Sequence, residues 1–256
     1  MKILVSNDDG VDSPGLDALI AGLDMHEVEF VVPNGERSAM SSALTPRVPV
    51  SAYPSSKYPG IRGWTITGTP ADCVQVGLDC LLEHVPDCVV SGINTGANLG
   101  DDILYSGTVG AAWEGRILDK VNIAFSLNAR QSTNWPAASE IVRRVMKSTL
   151  VASLPAGSVL NVNIPDLPLN QIKGARMTQM GRRGRFGQVT RTEHQIGDGS
   201  VQVMLGVQGR LQTGEVGTDI DAVAQGYVSL TPLKLDSTDL GLLRQSAQQL
   251  EEAPLW

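Results

Sequence analysis

Lys2-Ile3-Leu4-Val5-Ser6-Asn7-Asp8-Asp9-Gly10-Val11 opens the chain, and its reading decides the fold. An apolar run of strand length ends in two adjacent carboxylates and a glycine, and a helix signal follows at once. Asp12 or Ser13 is placed to cap that helix, Pro14 suits its first turn, and Leu16, Leu19, Ile20 and Leu23 recur at helical spacing. Carboxylates at the C-terminal end of an opening strand stand where open α/β sheets receive their ligands. Two like charges side by side repel, so such a pair holds a cation or shares a proton. The plainer reading is an Asp-Asp-Gly turn with both carboxylates in solvent.

Working outward, strand and helix signals alternate over about 165 residues. Val28 to Val32 reads as a second strand, broken by Pro33-Asn34-Gly35, with a polar loop of residues 36–42 behind it. Residues 46–63 look irregular or hairpin-like, and Trp64 to Thr67 is a short strand. Thr69 then caps a helix with Pro70 in its first turn and dense apolar positions from Cys73 to Leu82, which predicts burial. Asp87 to Ser91 is a strand of the fully buried kind, running into a long polar loop over residues 92–102. A helix starts at Ser106-Gly107-Thr108, residues 122–127 form a strand, residues 136–150 a helix, and residues 158–164 a strand closed by Pro165. This alternation predicts an α/β fold with a mostly parallel, doubly wound sheet in a core of residues 1–168. The texture changes in an extension of residues 169–256, where β-type runs within 172–212 suggest a hairpin excursion. Thr218 opens a short helix, residues 226–232 return to strand, and a final helix occupies about 238–251.

The totals bound what such a fold does. The 256 residues are 42% hydrophobic and 18% charged, with ample material for a core. No apolar run approaches the roughly 18 residues of a membrane helix, and the N-terminus reads as strand rather than signal peptide, so a cytoplasmic protein is expected. A net charge of −7 argues against nucleic acid polymers as partners. Cys73, Cys80 and Cys88 lack zinc spacing, and Cys73 and Cys80 are read as core packing. None of the histidines His26, His84 and His194 falls in a motif, which removes most zinc, Ser-His-Asp and Cys-His mechanisms. Arg182, Arg183 and Arg185 form the one basic cluster, either a substrate-facing loop or a solvated turn.

Three strand ends converge on one sheet edge in this reading: Asp8 and Asp9, Ser38, and Asn94. Two carboxylates, a hydroxyl and an amide are hard oxygen donors, which select magnesium, manganese or calcium. Beside them, the free N–H groups and hydroxyls at Ser106-Gly107-Thr108 suit a phosphate. A divalent metal beside a phosphate cradle points to metal-assisted hydrolysis of a phosphate ester. Taken singly, Ser38 reads as a turn serine, Asn94 as a loop cap, and Ser106 or Thr108 as an ordinary N-cap. No G-x-G-x-x-G follows the first strand and no G-x-x-x-x-G-K-[ST] occurs, so dinucleotide and P-loop sites are unsupported.

At this point the chain resembles the SurE family of survival-protein nucleotidases. The resemblance rests on Ser6 to Val11 with Pro14-Gly15-Leu16, on Arg37-Ser38 with Leu44-Thr45, and on Gly68 to Val74. It continues through Ser91-Gly92-Ile93-Asn94 and, most specifically, through Asn98-Leu99-Gly100-Asp101-Asp102 and Tyr105 to Val109. Thr218-Asp219, Ala222-Val223 and Gly226 to Leu233 resemble the family's C-terminal pattern. The resemblance implies a 5′-nucleotidase that hydrolyses nucleoside 5′-monophosphates, with 3′-monophosphates and short polyphosphate as further substrates. It implies one divalent ion per subunit, Mg²⁺ or Mn²⁺ with Ca²⁺ as an inactive occupant, on Asp8, Asp9, Ser38 and Asn94. Asp8 and Asp9 would carry the catalysis, Ser106, Gly107 and Thr108 would lie at the phosphate, and Asn98 near it. The implied fold is Rossmann-like, with the C-terminal extension exchanged between subunits of a homodimer or homotetramer. The rival function is a nucleotide-binding stress-regulatory module that uses the same pocket without turnover. Where the family often has glycine after the loop serine, this chain has Ala39.

Overall fold

Ile3, Leu4 and Val5 are all buried to within about one percent, although successive strand residues point to opposite faces. A strand manages that only inside a sheet covered on both sides. In the computed structural model, which describes residues 1–129, 131–183, 190–195, 201–204 and 215–253, this strand is β1 (Lys2–Ser6). It pairs in parallel with β2 (Glu27–Pro33) on one side and β5 (Cys88–Thr95) on the other. The remaining members of its sheet are β3 (Ala52–Ser55), β4 (Gly63–Ile66), β6 (Asn122–Asn128), β7 (Val159–Pro165), β8 (Ala175–Met177) and β11 (Val228–Leu233). A separate antiparallel pair is formed by β9 (Thr190–Gln195) and β10 (Val201–Met204). The nine-stranded sheet runs β3-β4-β2-β1-β5-β6-β7-β11-β8 and is parallel except for the β3–β4 and β7–β11 pairs. The expected mostly parallel, doubly wound α/β architecture is present.

Ile3 and Val5 face α1 (Pro14–Gly22) and α4 (Trp135–Lys147), in a core with Leu16, Leu19, Phe30 and Phe125. Leu4 faces the other way, into a cluster with Val31, Cys73, Val74, Val89 and Ala111, beneath α2 (Pro70–Val76) and α3 (Gly107–Glu114). Truncating a ring as enclosed as Phe30 to alanine costs about 3–5 kcal/mol. The chain leaves β1 in one direction to build β2 and β4, and in the other to build β5, β6 and β7. The crevice between β1 and β5 is therefore the topological switch point, where such sheets bind ligands. Beyond α4, the chain bends at Ser148 into the short α5 (Thr149–Ser153). The extension adds α6 (Asp219–Ala224), β11 and β8 to the same sheet edge, then α7 (Leu240–Glu252).

Three local expectations are corrected. β5 does not stop at Ser91 but runs to Thr95, through a register shift between Ser91 and Asn94. Gly92 makes this possible with φ +122°, and a Cβ there would lie 2.2 Å from the Phe125 carbonyl oxygen. Ile93 fills the core in return. The helix after Thr69 keeps α-helical geometry only to Val76 and ends in a single π turn, Gly77–Leu81. Cys80 is exposed rather than packed, whereas Cys73 and Cys88 are buried. Arg185 and much of the stretch 184–214 lie outside the described residues.

Candidate active site

Asn7 shapes the turn that presents the two carboxylates. Its side-chain amide donates to the Gly10 carbonyl at 2.8 Å, and its oxygen accepts the Gly10 N–H at 3.2 Å. Gly10 takes φ +89°, and a Cβ there would meet Gly35 at 3.0 Å, so the loop after β2 closes directly over this turn. Of the two candidate caps for α1 it is Ser13 that acts, accepting the Gly15 N–H. Asn7 was not singled out from the sequence, where an asparagine before Asp-Asp-Gly looks like ordinary turn composition.

Asp8 is only 3% exposed. Its Oδ1 accepts the Thr108 hydroxyl at 2.6 Å, and a Cβ on Gly107 would lie 2.9 Å from its own Cβ. Thr108 is completely buried in the first turn of α3, so the helix N-terminus is pressed against this carboxylate without an intervening side chain. Burial pushes the Asp8 carboxyl up to about 7, with the charge of Asp9 adding to it and hydrogen bonds from Thr108 opposing it. Asp9 is half-buried and is raised too, mainly by burial and further by Glu36, against hydrogen bonds from Thr95 and Ser13. Its Oδ2 accepts the Thr95 N–H at 2.9 Å, which ties the end of β1 to the end of β5. No salt bridge among the described residues reaches Asp8 or Asp9. Two adjacent, desolvated acids without a basic partner fit the demands of a bound cation.

The loop bearing Ser38 is held by its neighbours. The Arg37 N–H donates to the Asp8 carbonyl at 2.7 Å, which brings the loop to the crevice. Further along, Asp72 accepts the Thr45 N–H and hydroxyl while it completes the capping box of α2 with Thr69, whose hydroxyl donates to the Ala43 carbonyl. Ser41 is bonded to the Leu104 and Tyr105 carbonyls. Ser38 itself is exposed, and its hydroxyl donates to Glu36 Oε1 at 3.0 Å. Ala39, at the position marked by its departure from glycine, takes φ +61°, a left-handed backbone that alanine adopts at a cost.

Asn94 stands half-buried beside Thr95, its side-chain amide donating to the Gly96 carbonyl at 2.8 Å. Ser106 caps α3 by accepting the Val109 N–H. Asn98 is turned inward: its side chain donates to Ser126 Oγ, and Asn161 and Asn163 both donate to its carbonyl. The structure thus brings Asp8 into direct contact with Gly107 and Thr108, at the helix start that Ser106 caps, and ties Asp9 to Thr95, the neighbour of Asn94. It places Ser38 at the rim with its hydroxyl on Glu36, and Asn98 beneath. Among the described residues no three His, Cys, Asp or Glu side chains gather to hold a metal. An ion here would rest on two carboxylates completed by neutral oxygens, the pattern of a hard cation that keeps bound waters.

Known proteins resemble this chain over most of its length. A family model described as "Survival protein SurE" matches residues 3–186. A protein of Pseudomonas entomophila named 5′-nucleotidase SurE is 47% identical over 239 residues, covering 93% of this chain and 94% of its own length. A Pseudomonas putida protein of the same name is 48% identical over the same shares. The crystal structure of the SurE protein from Aquifex aeolicus superposes with a TM-score of 0.83 at 37% identity, covering 98% of this chain and all of that one.

Proposed function

The chain belongs to the survival protein SurE family, and from that premise we propose that it is a divalent-metal-dependent 5′-nucleotidase, releasing phosphate from nucleoside 5′-monophosphates. The observation that carries this reading is the contact between Thr108 and Asp8, because it joins a phosphate-binding helix start to a candidate metal carboxylate. Asp8, Asp9, Ser38 and Asn94 would hold the ion, Mg²⁺ or Mn²⁺, with Ca²⁺ an inactive occupant. When bound, such an ion polarises the phosphoryl oxygen and acidifies a water molecule.

The chain's own groups do the rest. Asp8 and Asp9 must be ionised for the site to fill, and burial makes both reluctant to ionise without a cation beside them. The first-turn N–H groups of α3, with the Ser106 and Thr108 hydroxyls, hold the non-bridging oxygens of the phosphate. Asp9, fixed by the Thr95 N–H, accepts the proton of the attacking water; the P–O bond to the sugar 5′-oxygen breaks in line, and a proton is returned to that oxygen as the nucleoside leaves. Asn98 acts from below, by setting the backbone of the 96–102 loop. The same cradle suits 3′-monophosphates and short polyphosphate, since it grips phosphate rather than sugar. We also propose assembly as a homodimer or homotetramer, supported by the exposed Leu240, Leu242, Leu243 and Leu250 of α7; sedimentation at the monomer mass would exclude it. Among the described residues no helix is long and apolar enough to cross a membrane.

The test is phosphate release from 5′-AMP by protein stripped with EDTA, then resupplied with magnesium or manganese. Activity that returns with the metal supports the reading. Folded protein that still binds 5′-AMP yet releases no phosphate with either ion would leave a binding module in its place.

A further inference from the structure

The stretch that ends in the phosphate cradle does not stand on the core alone. Leu99 packs with Ile220 and Val223 of α6, far along the chain, and a second connection is polar. Asp219, at the first position of α6, is fully buried. Its Oδ2 accepts the Gly100 N–H at 2.8 Å. Its Oδ1 accepts the N–H groups of Gly181 and Ile220, each at 2.8 Å. One buried carboxylate therefore holds the cradle loop to a segment eighty residues away. The fit is close enough to need glycine at 100, where φ is +54° and a Cβ would lie 2.5 Å from the Gly181 carbonyl oxygen; a Cβ on Gly181 would lie 2.6 Å from Ile220 Cδ1. The next residues continue the attachment, since the Arg183 N–H donates to Asp101 and its guanidinium pairs with Asp102. From Gly100 the chain runs through one 3₁₀ turn, Gly100–Leu104, directly to Ser106. The Ser106 N–H is bonded to the Ile103 carbonyl within that turn, so any shift of Gly100 is passed on to the cradle.

We infer that Asp219 is a positioning residue for phosphate binding, acting through the Gly100 N–H to set where Ser106, Gly107 and Thr108 stand. The inference rests on the reading of residues 106–108 as the phosphate cradle. The hydrogen bonds of Asp219 reach Gly100, Gly181 and Ile220 and not the carboxylate pair, so its loss loosens the cradle and leaves the candidate metal groups in place. Asp219→Asn is the informative change, because it keeps the shape but presents an N–H₂ group to one of the backbone N–H donors. Displacements of about an ångström at such a distance cost on the order of tenfold to a hundredfold in turnover efficiency.

The experiment measures three quantities on the full chain: KM and kcat for 5′-AMP, inhibition or binding by inorganic phosphate, and manganese affinity by calorimetry. For Asp219→Asn the expected result is a KM and a phosphate dissociation constant raised about tenfold, with manganese affinity within about twofold of wild type. A residue that merely supports the fold would lower the melting temperature and leave KM and phosphate affinity unchanged, and that result would overturn the inference. If Asp219→Asn fails to fold, Arg183→Gln removes the guanidinium pair to Asp102 at a partly exposed position, while the backbone N–H to Asp101 stays. It must then raise KM in the same sense, and an unchanged KM would overturn the inference. A wild-type protein without phosphatase activity, beside an Asp219→Asn variant with weakened phosphate binding, would sink the nucleotidase reading while leaving the role of Asp219 standing.

Discussion

The two sides of the crevice are built differently. On the inner side, Asp8, Gly107 and Thr108 are buried and belong to the ends of β1 and α3, so the sheet and helix that carry them also place them. On the outer side, Ser38 and Ala39 are exposed in a loop whose position is borrowed from Asp8, Asp72 and Thr69. The inner side holds its polar groups in a fixed arrangement before any ligand arrives. The outer side keeps a left-handed alanine and a hydroxyl turned toward Glu36. The difference separates a half placed by sheet and helix, which carries the buried charge, from a half placed by the contacts of an exposed loop.

The largest expected effect concerns the inner half. In the metal-free protein Asp8 ionises near 7, against about 4 in an unfolded chain, so the native state holds the extra proton between those values. Stability of the metal-free protein should therefore fall as pH rises from about 4 to about 7, by up to about 4 kcal/mol from this group, and level off above. Asp72 serves as a contrast. Its burial is outweighed by hydrogen bonds from Thr45 and Thr69, which hold its carboxyl below the ordinary range, so its contribution is lost only as pH falls below about 4. Thermal melts at pH 5 and pH 7.5 after EDTA treatment check this, and saturating manganese should abolish the difference.

Next in size is Thr108→Val, which leaves the Asp8 carboxylate without its 2.6 Å donor in a buried site. A loss of about 1–3 kcal/mol of stability is expected in metal-free protein by denaturant titration. Asp72→Ala should cost about 1–2 kcal/mol by removing the α2 capping box, and should also lower affinity for 5′-AMP by freeing Thr45. A variant that loses stability without any change in affinity would show that the outer loop is not placed by Asp72. The smallest effect is expected from Ala39→Gly, which relieves φ +61° and should raise stability by about 1 kcal/mol or less while leaving the fold unchanged.

The inner half was legible in the sequence because its signals are local. An apolar run ending in Asp8-Asp9-Gly10, a proline beside Ser13, and a cap at Ser106 each declare an element end within a few residues. The alternation of strands gave the sheet, and the switch point follows from it. What escaped the sequence depends on distant partners. The sequence ends β5 at Ser91 because Gly92 and Asn94 look like loop residues, whereas Ile93 packs into the core and Asn94 and Thr95 resume pairing with β6. The resemblance puts Asn98 near the phosphate, but nothing local in the sequence reports that Asn161 and Asn163 donate to its carbonyl. The grip of Asp219 on Gly100 spans more than a hundred residues, and no periodicity reports such a bond. Ala39 stands out by its departure from the family's glycine, but its positive φ is not legible from the alanine itself.

The most direct test of the account is manganese titration by calorimetry at pH 7.5 of wild type, Asp9→Asn and Ser38→Ala. If the carboxylates of the inner half hold the cation, Asp9→Asn should weaken binding at least a hundredfold, and Ser38→Ala by about tenfold or less. Equal losses in the two variants would contradict the division between the two halves. Undiminished binding by Asp9→Asn would contradict the metal site itself.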